Sequence, residues 1–126
     1  MSGSDEDILR FIAASFPSVW ALEILLALRS DRRLWSRREL VEALRASDLV
    51  VATALEALIA AGLASAEDHG AIYMPVNSDV EACVDRAEQL YRTRPNVVRR
   101  SIVSAATRSA TAFADAFKLR RGEQDD

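Results

Sequence analysis

Residues 19–28, Val-Trp-Ala-Leu-Glu-Ile-Leu-Leu-Ala-Leu, carry a single charge, Glu23, and follow a serine, Ser18, suited to capping a helix. A helix apolar nearly all round has to be buried on most sides, by its own domain or by a partner chain. The chain has 126 residues, enough for one compact domain and too few for two comfortable ones. Half of its residues are apolar, which excludes a disordered chain and permits a real core.

The same inventory removes several function classes. The longest charge-free stretch, Phe11 to Leu22, is interrupted by Pro17 and falls short of the roughly 20 apolar residues that span a bilayer. The first residues, Met1-Ser2-Gly3-Ser4-Asp5-Glu6-Asp7, are acidic where a secretory signal would be basic. A lone Cys83 allows no internal disulfide and fits a reducing compartment, so the expectation is a soluble, cytoplasmic protein. With one histidine, His69, and one cysteine, neither a multi-histidine site nor a zinc cluster can form. The four glycines are scattered and Lys118 is the only lysine, which leaves no phosphate-cradling loop. The expectation is therefore a binding module: no enzyme, no metal and no cofactor.

Along the chain the signals are mostly helical. Ser4 and the acids after it cap a first helix with Ile8, Leu9, Phe11 and Ile12 on its apolar face, ending before Pro17. After the apolar helix that Ser18 starts, Leu34-Trp35 fits a very short strand. Ser36-Arg37-Arg38-Glu39 has capping-box spacing, and the short helix behind it turns Leu40, Val41 and Leu44 inward. Ser47 caps a further helix with Val51, Leu55, Leu58 and Ile59 at helical spacing, closed by Gly62. Leu63–Ala66 and Ala71–Met74 flank a glycine-containing turn and predict a β-hairpin. Ser78-Asp79-Val80-Glu81 is a second capping-box pattern, opening a helix through Val84, Ala87, Leu90 and Tyr91. Pro95 suits the first turn of a last helix. Gly122 and the acids behind it predict a frayed end, 122–126. Trp20, Trp35 and Cys83 are expected in the core, with His69 exposed on its turn.

The order helix, short strand, helix, helix, hairpin over residues 18–76 resembles the winged helix-turn-helix domain of small bacterial transcription regulators. The segment Val51-Ala52-Thr53-Ala54-Leu55-Glu56-Ala57-Leu58-Ile59-Ala60-Ala61-Gly62-Leu63 carries the likeness. It is similar to the helix ending in Gly-Leu, followed by the wing, of the MarR, ArsR and PadR types, and the likeness covers about half the chain. The resemblance implies a single mainly α domain. It would comprise an N-terminal helix (1–17), a winged-helix core with a small hairpin wing (18–76) and two C-terminal helices (77–121). It also implies a dimer through flanking helices, and the stripe Val98, Ile102, Ala106, Phe113 and Phe117 at near-helical spacing, with the apolar helix at 19–28, is the expected seam.

Carried over residue by residue, the resemblance places Asp48, Leu49, Ala52 and Thr53 on the reading helix and Glu67, Asp68 and His69 on the wing. Base edges are read by Arg, Lys, Asn or Gln, and none of these stands at those positions. Net charge runs −3 over 1–28, +3 over 29–46, −7 over 47–85, +7 over 86–121 and −3 over 122–126. A face this acidic repels phosphate, and phosphate attraction supplies nearly all non-specific DNA affinity. Protein contacts through Asp48, Leu49, Val50, Thr53, Glu56, Glu67 and Asp68 are therefore favoured over DNA. The alternative is a dimeric DNA-binding regulator whose Arg32, Arg33, Arg37, Arg38 and Arg45 grip phosphates. The basic C-terminal segment is expected to pack beside the acidic middle, within one chain or across a dimer, or else to be a solvated face. An effector pocket between the winged helix and the C-terminal helices stays open, with no residue pattern to support it.

Overall fold

Serine hydroxyls start the first four helices. In the computed structural model, which describes residues 4–125 (113 and 117–125 by their backbone alone), Ser4 caps α1 (Asp5–Ser15) and Ser18 caps α2 (Val19–Ser30). Strand β1 (Trp35–Ser36) leads directly into α3 (Arg37–Leu44). The Ser36 hydroxyl accepts from the Glu39 N–H at 3.0 Å, while the Ser36 N–H donates to the Glu39 carboxylate at 2.9 Å, a complete capping box. Ser47 caps α4 (Asp48–Ala60) by accepting from the Val50 N–H. Gly62, at φ 75°, then reverses the chain. The Leu63 N–H donates to the Leu58 carbonyl at 3.0 Å and the Gly62 N–H to that of Ile59 at 3.1 Å, closing the helix end with both leucines buried.

Beyond the hairpin strands β2 (Ala64–Glu67) and β3 (Gly70–Tyr73) come α5 (Ser78–Thr93) and α6 (Pro95–Asp125). The cap of α5 is not Ser78 but Asn77, whose side-chain oxygen accepts from the Val80 N–H at 2.9 Å. With Asn77 as the cap, the third helical position falls on Val80, so Glu81 stands one residue out of register for a capping box, and its carboxylate accepts from the Tyr73 hydroxyl and from Arg32 instead. The α6 helix also continues through 122–125, where Gly122 predicted fraying; one glycine costs a helix only about 1 kcal/mol.

The molecule is mainly helical, with one small antiparallel sheet ordered β1-β3-β2. Trp35 lies opposite Ala71, and Ser36 opposite Gly70. The left-handed position of the hairpin turn falls on His69, at φ 59°, rather than on Gly70. Gly70 is required for another reason: a Cβ there would lie 2.0 Å from the Trp35 carbonyl oxygen.

The core forms around α2, whose Ala21, Leu22, Ile24, Leu25 and Leu28 are fully enclosed by α4, α3, β3 and α6 of the same chain. The chain itself thus covers most of the apolar helix, leaving Trp20 at its start exposed. Three residues expected in the core sit nearer the surface. Trp20 is 41% exposed and Cys83 is half-buried. Trp35, also half-buried, donates its indole N–H to the Asp31 carbonyl at 2.8 Å beneath the Arg33 guanidinium, 4.1 Å from the ring centre. Of the α4 residues at helical spacing, Val51, Leu55 and Leu58 are buried and Ile59 is 37% exposed. The α1 and α2 helices meet at about a right angle around Pro17, bent by 100°. Among the described residues no single helix is long and apolar enough to cross a membrane.

Candidate functional site

Asp48 opens α4 and Arg37 opens α3, and their side chains pair at 3.1 Å, tying the two helix starts together. An acid in the first turn also complements the helix dipole. From Asp48 onward α4 shows two faces. Leu49, 75% exposed, shares the outer one with Thr53, while Val50 is half-buried. The other face borders a cleft of about 680 Å³. Val41, Ala52, Leu55 and Ile59 give it apolar walls; Arg37, Arg38, Asp48 and Glu56 are its charged members, and His69 and Gly70 border it at the hairpin turn. Glu67 and Asp68 are exposed on that same turn. The structure therefore brings together Asp48, Glu56, Arg37, Arg38 and the hairpin tip, with Leu49 and Thr53 on the neighbouring face.

The arginines expected to meet phosphate are mostly engaged inside the chain. Arg32 reaches Glu81 at 3.2 Å and lies 5.0 Å from the Tyr73 ring centre. Arg33 pairs with Asp31 at 2.9 Å and with Glu39 at 3.1 Å. Arg38 pairs with Glu42 at 3.4 Å, and Arg45 stays exposed in the left-handed conformation that ends α3. Arg29, almost enclosed at the end of α2, forms ion pairs with both Asp85 and Glu88 of α5. Within one chain, Asp48, Glu81 and Asp85 of the acidic middle pair with arginines that precede them in the sequence. Arg29 and Arg32 answer Asp85 and Glu81, where α5 lies beside the end of α2, and Arg37 answers Asp48 between the starts of α3 and α4. Exposed pairs of this kind add at most about 1 kcal/mol each, but they cancel the positive field a phosphate would sense. Glu56, Glu67 and Asp68 have no ion pair among the described residues.

Two tyrosines fasten α5 to the rest of the core. Burial, reinforced by donation to the Glu81 carboxylate, pushes the Tyr73 hydroxyl from an ordinary 10.0 up to about 12. The Tyr73 hydroxyl holds Glu81 below its usual range in turn, helped by Arg32. Tyr91, which donates to Glu23 of α2, is raised by burial and by that carboxylate. A hydroxyl whose folded-state pKa is raised keeps its proton longer in the native state than in the unfolded chain. Its contribution is complete below pH 10 and is lost as pH climbs toward about 12. Denaturant unfolding should therefore show stability falling above pH 10, with a shallower fall in Tyr73→Phe.

The expected dimer seam divides. Val98 and Ile102 are 0% and 1% exposed, consumed by the chain's own core where α6 packs on α1 and α5, so they are not free to meet a second copy. Ala106 is exposed; the side chains of Phe113 and Phe117 lie outside the described ones. Among the described residues no three His, Cys, Asp or Glu side chains converge on a metal-sized site. Sequence reasoning missed the cleft, including Ala52, Ile59, His69 and Gly70 as its walls. The signal was present in the helical spacing of positions 48, 52, 55 and 59, but only with Ile59 turned outward. No family model, curated protein or solved structure matches the chain.

Proposed function

We propose that this chain is a winged-helix regulatory module of transcription-regulator type that acts through protein contacts. The element order α2-β1-α3-α4-β2-β3, with the sheet ordered β1-β3-β2, supports the winged-helix part of the reading. One observation carries the choice of partner: α4 and the hairpin present Leu49, Glu56, Glu67 and Asp68 to solvent, while Arg32, Arg33 and Arg37 are held by carboxylates. An exposed aliphatic residue among acids suits a protein surface and opposes a phosphate backbone. The DNA reading keeps one supporting observation, the exposed Arg38 and Arg45 at the two ends of α3.

Polarisation titration of a labelled random-sequence duplex at low and moderate salt separates the two. The expected result is no binding even at low salt, where non-specific attraction is strongest. Micromolar binding with a steep salt dependence, abolished in Arg37→Ala/Arg38→Ala, would overturn the protein-contact reading.

A homodimer belongs to the same reading. The α6 helix has 31 residues, about 46 Å, and among the described side chains its buried positions end at Ile102. Val103 beyond them is 57% exposed beside Ala106 and Ala110, in a groove that runs past Pro17. Light scattering is expected to give twice the 13.9 kDa chain mass, falling to one in Val103→Glu. A wild-type monomer at micromolar concentration would remove the dimer.

A further inference from the structure

We infer that the cleft between α3, α4 and the β2–β3 turn receives a basic segment of a partner protein that carries aliphatic side chains. The inference rests on the protein-contact reading and specifies the partner's chemistry. At about 680 Å³ the cleft has the size of a ligand site, and its walls are apolar where a surface groove between charged helices would usually be wet. Leu55 is buried, yet Ile59 on the next turn is 37% exposed, so an aliphatic wall stands partly uncovered with no other element of this chain over it.

The charges around the cleft decide what kind of segment fits. Its two arginines already have partners, Arg37 in Asp48 and Arg38 in Glu42. Glu56 has none among the described residues, and neither do Glu67 and Asp68 on the turn. The carboxylates left without an ion pair are therefore Glu56 in the lining on the α4 side, and Glu67 and Asp68 next to the lining at the hairpin turn, while Arg38 is exposed at the rim. An incoming Arg or Lys completes these carboxylates, while an incoming acid meets repulsion; such complementarity fixes orientation and rejects wrong partners. The α4 wall runs from Asp48 to Ile59, a rise of about 16 Å, which matches three turns of a docked helix with leucines spaced three or four residues apart.

Three labelled peptides of about 12 residues, titrated into the full chain at about 50 mM salt, test this. One is helical with a leucine stripe flanked by arginines, the second replaces the arginines with glutamates, and the third replaces the leucines with serines. The first is expected to bind tighter than about 100 µM, and the other two at least about tenfold more weakly. Glu56→Lys should shift preference toward the acidic peptide, and Ile59→Ser should weaken the leucine peptide at least about fivefold with unchanged circular dichroism. Equal binding of the acidic peptide, indifference to both substitutions, or no binding at all would overturn the inference. If DNA also fails to bind in the titration above, the protein-contact reading survives that loss. If DNA binds while no peptide does, both fall.

Discussion

Gly70→Ala is expected to lower stability by about 3 kcal/mol, and the melting temperature by about 10 °C. The added methyl would sit 2.0 Å from the Trp35 carbonyl oxygen and 2.9 Å from its carbon, so the obstacle is backbone rather than a side chain that can rotate away. Relief requires β1 to leave β3. That separates Trp35 from Ala71 and Ser36 from Gly70, and strains the bond from the Arg37 N–H to the His69 carbonyl at 3.1 Å. Since Ser36, Arg37, His69 and Gly70 all border the cleft, the same variant should open its hairpin end. Calorimetry checks the first consequence. A melting temperature within about 2 °C of wild type would show that β1 yields without cost.

Phe16→Ala is expected to cost about 4 kcal/mol, in the upper range for deleting a buried ring. Phe16 ends α1, its N–H donating to the Ile12 carbonyl at 2.9 Å, and its ring is 1% exposed. It meets Phe11 edge-on, with centroids 6.3 Å apart and planes at 89°. The ring fills the corner where the chain turns through Pro17, so truncation leaves a void that two rigid helices cannot collapse into. The contrast is Leu49→Ala. At 75% exposure it should change stability by less than about 0.5 kcal/mol, so any effect it has on partner capture is an effect on contact. Urea unfolding of the two variants together measures both expectations.

How much of this was legible follows the range of each interaction. The serine caps at 4, 18, 36 and 47 were readable because a hydroxyl and an N–H three residues away settle the matter locally. At α5 two cap-forming residues stand side by side, and the sequence pattern favours Ser78 where Asn77 accepts from the Val80 N–H. The one-residue shift moves Glu81 out of the capping-box position, and Tyr73 and Arg32 take its carboxylate. The hairpin was readable from its strands, whereas the close approach of Trp35 to Gly70 depends on β1 arriving from before α3. Of the candidate site, Asp48, Leu49, Thr53, Glu56, Glu67 and Asp68 were placed on the exposed surface as expected, and Val50 less so. Periodicity marks the apolar side of α6 but says nothing of what covers it, which is why Val98 and Ile102 were assigned to a seam when α1 and α5 cover them. The arginine pairings, all set by tertiary placement, were beyond reach of the charge map.

The packing of α1 on α5 and α6 has a consequence for how the chain is made. Asp5, at the start of α1, faces Arg94 at 3.7 Å, just ahead of α6. A ribosome delivers α1 and α2 long before the helix that seals them, so Ile8, Ile12 and Phe16 emerge without their cover. Local caps can hold a helix in that interval; they cannot hide its apolar side. Folding has to wait for long-range closure, which slows the search and leaves the nascent chain sticky for its duration. The segment 18–76 is thus continuous in topology without being autonomous in synthesis, and native-state hydrogen exchange should find the amides of α1 and the first turns of α6 opening together as one unit.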